Sequence, residues 1–436
     1  MTYQEALRYL ESFINYEKTD SYDYKKSFKL ERMEKLARDF KDPQLKVRAI
    51  HVAGTKGKGS TCAITHSILK EEGFKTGLYT SPHLESFRER VRVNDSCITD
   101  DAVTQLVSEM KPVIEKMSGP RPSFFEVYTL LAYLYFLREG VDIAVYETGL
   151  GGRLDATNVL RPLVSAITPI SYEHTDKLGD TLGEIAFEKA GIIKDGSICV
   201  SAQQEKEALD VISSVCVNRK AKLISVGKDI SFKEISSDEK GSVFDVSGIL
   251  GEYGALECGL LGRHQISNAA LSIGIIESLK HSGIDIKEDS IRRGIKKAAW
   301  PGRLEIVSRR PLVVLDGAQN RASAKVLAEA VKNIFDHKRL VLVLGVSKDK
   351  DVDGILDELI PISDSVIVTR SKILQRAMEP EKIASRIGRT TKAAVTSSVD
   401  EAMECAVSSA GADDMVLVTG SLFVVGEARH KYAKNF

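Results

Sequence analysis

The densest chemical signal in this 436-residue chain is the run Gly54-Thr55-Lys56-Gly57-Lys58-Gly59-Ser60. Glycines let backbone N–H groups curl around an anion with no Cβ in the way. The helix expected to start there adds unpaired donors and a partial positive charge. Lys58 adds a full charge suited to the outer phosphates of a nucleotide. The common phosphate-loop pattern G-x-x-x-x-G-K-[ST] is not met, because Val52 stands at its first glycine and Gly59 follows the lysine. The run fits a variant, G-T-x-G-K-G-S. The order strand, glycines, lysine, helix favours a phosphate cradle over a glycine-rich turn that merely exposes a lysine.

A second group supplies negative charge and metal chemistry. Glu147 directly follows the apolar run 141–146, a buried strand. Strand C-termini in parallel sheets face the ligand crevice, so a carboxylate there can hold Mg²⁺ against phosphates. Gly149-Leu150-Gly151-Gly152 leaves the adjoining backbone open to close approach. Other candidates carry less information by themselves. His174 alone reads as a core or turn histidine, and Lys189 alone as a surface helix lysine paired with Glu184 or Glu188.

These residues need a scaffold, and the hydrophobic pattern provides one. Strands are expected at 48–53, 74–79, 141–146, 163–169 and 198–201, with helices at 60–72, 124–140, 181–192 and 264–278. Such alternation predicts a parallel sheet wrapped in helices. Residues 233–253, polar and broken by Gly and Ser, read as a β-hairpin excursion. Ala299-Trp300-Pro301-Gly302-Arg303 holds the chain's only Trp beside a Pro-Gly break. Beyond it the alternation restarts, with strands at 312–316, 340–345, 365–369 and 415–419 and a helix at 322–334. The expected fold is therefore α/β, two doubly wound domains spanning 1–298 and 299–436.

Composition removes several function classes. Lys+Arg and Asp+Glu are both 61, so no net field draws the chain to nucleic acid or an anionic membrane. Aromatic residues are 6%, with no evident stacking platform. The six cysteines form no C-x-x-C pair and read as reduced thiols of a cytoplasmic protein. Residues 1–10 read as a polar helix rather than a leader. No apolar run approaches the roughly 20 residues that span a bilayer.

The ordered motifs resemble those of the folylpolyglutamate synthase/dihydrofolate synthase family of the Mur ligase superfamily. Besides the G-T-x-G-K-G-S loop they include Thr80-Ser81-Pro82-His83-Leu84 with Glu89-Arg90-Val91, Phe124-Phe125-Glu126, the run from Glu147 through Asn158, Glu188-Lys189-Ala190-Gly191-Ile192, Gly262-Arg263-His264-Gln265 with Asn268, Pro301-Gly302-Arg303, and Asp316-Gly317-Ala318-Gln319-Asn320. The resemblance implies an N-terminal P-loop ATPase domain and a smaller Rossmann-like ligase domain. It implies a reaction in which a carboxylate takes the γ-phosphate of ATP and the acyl phosphate is captured by the amine of L-glutamate. It also implies roles. Gly54, Thr55, Gly57, Lys58, Gly59, Ser60, Asn268, Arg303 and Asp316 would bind ATP. Ser81, Glu147 and His174 would hold Mg²⁺, and a carbamylated Lys189 would serve a second ion. Lys58, Lys189, His174 and Arg303 would act in catalysis. His83, Arg90, Phe124, Phe125, Gln319 and Ser347 would meet dihydropteroate or a reduced folate and the incoming glutamate. A monovalent cation and a monomeric state are further expectations.

The chain departs from the family pattern in three places. Glu173 precedes His174 where the family usually has Asp; Gln319 replaces a His, and Arg321 a Pro. Gln can donate hydrogen bonds but carries no charge. The loop Gly345-Val346-Ser347-Lys348-Asp349-Lys350-Asp351 reads either as a solvated charged turn or as a glutamate-binding segment. Two other functions stay open at this level: another Mur-type ligase, against which Gly59 and the T-S-P-H-L run argue, and an ATP-binding regulatory protein that has lost its chemistry.

Overall fold

The computed structural model describes residues 1–17, 19, 22–373, 376–387 and 392–432. Its first body is an eight-stranded sheet. Six strands run parallel in the order Thr76–Tyr79, Ile143–Glu147, Arg48–Ala53, Val164–Ile167, Ile198–Ser201 and Lys222–Ser225. Val91–Val93 and Ser96–Cys97 add an antiparallel edge. Arg48–Ala53 lies between strands that follow it in sequence, so the chain winds away to both sides, and a crevice forms beyond the strand ends there. The two strands flanking it are buried throughout, as expected of a sheet covered on both faces.

The helix Lys58–Glu72 packs against Arg263–Ser278 and Glu288–Lys297 over one face. Gly294 makes this possible: a Cβ there would lie 2.4 Å from the Ile68 Cα. Helices Leu182–Ala190 and Lys206–Asn218 pack together, contributing to a cluster with Ala53, Ile167 and Cys199. Helix Phe124–Arg138, started by a Ser123/Glu126 capping box, covers the edge near Tyr79 and Tyr146.

The 233–253 region does hold a hairpin, Ser231–Asp238 with Gly241–Ser247, but it is larger than expected. It belongs to a three-stranded antiparallel sheet, Ser231–Asp238, Gly241–Ser247 and Glu252–Cys258. The third strand escapes local reading because Gly254 and Ala255, the latter at φ 50°, break its pattern.

A six-stranded sheet forms the second body, in the order Glu305–Arg309, Leu312–Leu315, Met415–Thr419, Leu340–Leu344, Ser365–Val368 and Lys392–Val395. Only the first strand is antiparallel to its neighbour. Both edge strands are missing from the sequence-based expectation. Lys392–Val395 is exposed along its length, and Glu305–Arg309 buries only Val307.

Candidate active site

A cleft of about 460 Å³ opens between the two bodies. The first body lines it with residues at and just beyond strand ends: the loop after Arg48–Ala53, Thr80 and Ser81 after Thr76–Tyr79, Glu147 at the end of its strand, and Pro169. The second contributes Asp316, Gln319 and Leu422, and the connecting segment adds Trp300 and Arg303.

The glycine loop is built by close approach. Gly54 and Gly57 have φ of 145° and 83°. A Cβ on Gly54 would lie 1.9 Å from Thr168 Oγ1, and one on Gly57 2.4 Å from Asn268 Oδ1. At Gly59 a Cβ would lie 2.8 Å from the Trp300 ring. The Thr55 and Lys56 amides both donate to the Pro169 carbonyl, at 3.1 and 3.2 Å. Gly57 caps the helix in the left-handed region with no side chain on the first-turn N–H groups. Those donors are free for an anion in the cleft, which Lys56, Lys58 and Arg303 also line.

Lys189 is buried, not the surface lysine that spacing alone suggests. Its Nζ donates to the Gly54 carbonyl at 2.7 Å. Burial, then Lys58, push its ammonium down to about 7. Neither acidic neighbour of the expected pairing holds it. Glu188 takes Arg153 and Tyr24 instead, and Glu184 caps its own helix.

Glu147 is the last residue of its strand rather than the residue after it, and it is buried. Its Oε2 accepts the Ser81 N–H at 3.1 Å. Burial raises its carboxyl above the ordinary range, with Lys58 opposing. His174 sits at φ 53°, and burial lowers its imidazole to about 4, leaving it neutral with a lone pair to offer. Among the described residues no group of three or more His, Cys, Asp or Glu side chains could hold a metal ion alone. Ser81, Glu147 and His174 nevertheless line one cleft. One carboxylate and one hydroxyl suit Mg²⁺, which keeps several positions for phosphate oxygens and water.

Several expected contacts move. Arg90 is 2% exposed, and its guanidinium is taken up by Glu17 at 2.6 and 2.8 Å and by His83 Nδ1 at 2.9 Å. It also lies 5.7 Å from the Phe124 ring centroid. Phe124 is buried, stacked on Tyr128. Arg90 and Phe124 therefore support the site from behind; neither lines the cleft. Phe125 packs against Gly149. His83 and Gln319 do line the cleft. Ser347 is 7% exposed, outside the lining, and its carbonyl accepts the Lys350 N–H. Asn268 is buried, its amide held by Gln265 at 2.9 Å. Asp316 accepts the Leu304 and Ala318 N–H groups at 3.0 and 2.9 Å.

Other lining residues were given no site role from the sequence: Lys56, Glu173, His264, Gln265 and Trp300. Lys56 pairs with Glu173 at 2.9 Å. Gln265 Nε2 and Ser171 Oγ are buried with no hydrogen-bond partner among the described residues. The position of Trp300 beside the Pro-Gly break was the available signal for that residue.

The chain is similar to known proteins along most of its length. The Mur ligase middle domain matches residues 52–276, and the Mur ligase glutamate ligase domain matches residues 302–422. The dihydrofolate synthase/folylpolyglutamate synthase of Bacillus subtilis is 36% identical over 92% of this chain and 94% of its own length. The folylpolyglutamate synthase of Lacticaseibacillus casei is 31% identical over 98% of both chains. Among solved structures, the Mycobacterium tuberculosis folylpolyglutamate synthase complexed with ADP superposes with a TM-score of 0.89 at 31% identity, covering 99% of this chain and 98% of that one. The Thermotoga maritima folylpolyglutamate synthase gives 0.86 at 34% identity, covering 100% and 97%.

Proposed function

Because the chain belongs to the folylpolyglutamate synthase/dihydrofolate synthase family of Mur ligases and is thereby an ATP-dependent glutamate ligase, we propose that it serves both dihydropteroate and reduced folates as acceptors. The ligase chemistry is carried by the meeting of a glycine loop, Lys58, Glu147 and Arg303 in one cleft between two α/β bodies, and the double acceptor range is supported by the Bacillus subtilis dihydrofolate synthase/folylpolyglutamate synthase.

In this reading Gly54, Thr55, Gly57, Gly59 and Ser60 wrap the phosphates, and Lys58 and Arg303 neutralise them. Asn268 and Asp316 position the rest of the nucleotide. An acceptor carboxylate oxygen attacks the γ-phosphorus, the bond to the ADP oxygen breaks, and an acyl phosphate forms. The glutamate amine then attacks the acyl carbon, and phosphate leaves with the former bonding pair. Cationic positioning carries most of this chemistry, because an anion must approach a polyanion. Ser81, Glu147 and His174 would hold Mg²⁺, which supplies charge neutralisation at the transferring phosphoryl group. A carbamylated Lys189 would add a carboxylate for a second ion. The neutral amine available near pH 7 supports that modification. A monovalent cation rests on the resemblance alone. His83 and Gln319, which line the cleft, would face the acceptor and glutamate, with residues 1–298 and 299–436 closing as two units of one monomer. Among the described residues no helix is long and apolar enough to cross a membrane.

The test is ATP-dependent phosphate release with L-glutamate and, separately, dihydropteroate or tetrahydrofolate. Release with each acceptor, dependent on glutamate, is the expected result. Release with one acceptor alone restricts the enzyme to that branch; release with neither overturns the folate reading.

A further inference from the structure

Lys56 is a second lysine of the glycine loop, separated from Lys58 by Gly57. Its backbone N–H is fixed on the Pro169 carbonyl, and its side chain lines the cleft. Lys58 and Arg303 line the same cleft, and burial first, then these two cations, oppose the charge of its ammonium. Its ion-pair partner is Glu173, at 2.9 Å. The same Glu173 oxygen accepts the Asn320 side-chain amide at 3.2 Å, from the other body. Asn320 caps the helix Arg321–Ile334 and adjoins Gln319, which lines the cleft without a charge.

These contacts describe a cation with somewhere else to go. A lysine sharing a cleft with two further cations is costly to keep charged unless an anion faces it. Glu173 provides one negative charge. A nucleotide triphosphate in the cleft would provide several, focused on the group nearest Lys58 and Arg303. Glu173 would keep its Asn320 hydrogen bond and its place near His174 after the lysine moved.

We propose that Lys56 is a second phosphate-binding lysine, which exchanges Glu173 for the terminal phosphate of bound ATP and supplies the charge that Gln319 lacks. Glu173 is then the resting partner that the phosphate displaces, and through Asn320 it links the lysine's resting place to the second body. This inference rests on the ATP-ligase reading.

Calorimetric affinities for ADP and for the non-hydrolysable β,γ-methylene analogue of ATP, in magnesium buffer, separate this role from a merely structural ion pair. In Lys56→Gln the analogue should bind about tenfold more weakly, about 1.4 kcal/mol, as for one lost charge-assisted contact. ADP affinity should stay within about twofold. An equal loss for both nucleotides, or none for either, overturns the proposal. If Lys56→Gln does not fold, Glu173→Gln decides. Freed of its competitor, Lys56 should raise analogue affinity relative to ADP by about twofold or more, whereas an unchanged or lowered relative affinity overturns the proposal. Wild-type protein that binds neither nucleotide would instead refute the ATP-ligase reading itself.

Discussion

Lys189 shows how far a side chain's role depends on what is folded over it. Spacing offers it Glu184 and Glu188, yet the fold buries it under the glycine loop and gives it one backbone carbonyl. The close fit of Gly152, where a Cβ would lie 2.8 Å from the Lys189 carbonyl, is one tertiary contact that spacing does not reveal. With its ammonium pushed down to about 7, a substantial fraction is neutral amine at physiological pH and able to add CO₂. Lys189→Ala should lower kcat by at least about a hundredfold, since a metal-site carboxylate would be lost. Millimolar acetate or formate should restore part of the rate. Steady-state phosphate release with and without the added carboxylate checks this, and loss without rescue would assign the role to the lysine's own positive charge. Arg90 makes the complementary point. Its place in the Glu89-Arg90-Val91 motif suggested substrate contact, but its counter-ion Glu17 lies 73 residues away in sequence. No local pattern announces such a partner.

At the scale of elements, the helix Lys58–Glu72 was legible from the order of strand, glycines and helix formers, but its environment was not. Thr61, Thr65, His66 and Ser67 are all buried, since helices Arg263–Ser278 and Glu288–Lys297 close over the face that a surface helix would leave wet. His66 accordingly stays neutral, Nε2–H donating to the Asn94 carbonyl at 3.0 Å, and burial lowers its imidazole to about 4 from 6.5. Between those values the unfolded chain binds more protons than the folded one, so stability is lost as pH falls through that window. Acidification from pH 7 to 5 should remove about 2 kcal/mol through this residue. Urea unfolding at the two pH values should show His66→Gln losing less stability than wild type by about that amount. Equal losses would mean that the folded protein accommodates a charged His66. The three-stranded antiparallel sheet was harder to read than the helices for a related reason: its side chains alternate around bulges at Val243/Phe244 and Phe244/Val246, which shift the two-residue period.

For the whole molecule, the central strands of the two large sheets could be read from alternation, but the mutual placement of the sheets could not, because the contacts that set it join residues hundreds of positions apart. Glu85, just beyond the Thr80–Leu84 motif, accepts from Arg429, 344 residues later, and pairs with His430. Arg429 also holds Glu305 of its own body, so one guanidinium joins the two. Beside it the helix Leu422–Tyr432 presents Gly426 to the Leu84 carbonyl so closely that an added Cβ would lie 2.1 Å from the oxygen. That oxygen is backbone and cannot swing aside, so Gly426→Ala must push the helix away from the loop carrying Ser81 and His83. Each body keeps its own apolar core, with Leu312, Leu342 and Leu417 in one and Ile50, Val52 and Val145 in the other. The substitution should therefore separate the bodies without unfolding either. We expect Tm to change by only a few degrees, the radius of gyration from X-ray scattering to rise, and kcat to fall about tenfold or more. A cleft held open cannot bring Arg303 and Gln319 against groups lined up on the first body, and it admits water to an acyl phosphate. An Ala variant with unchanged scattering and unchanged kcat would show that the Leu84–Gly426 contact does not set the closed geometry used in catalysis.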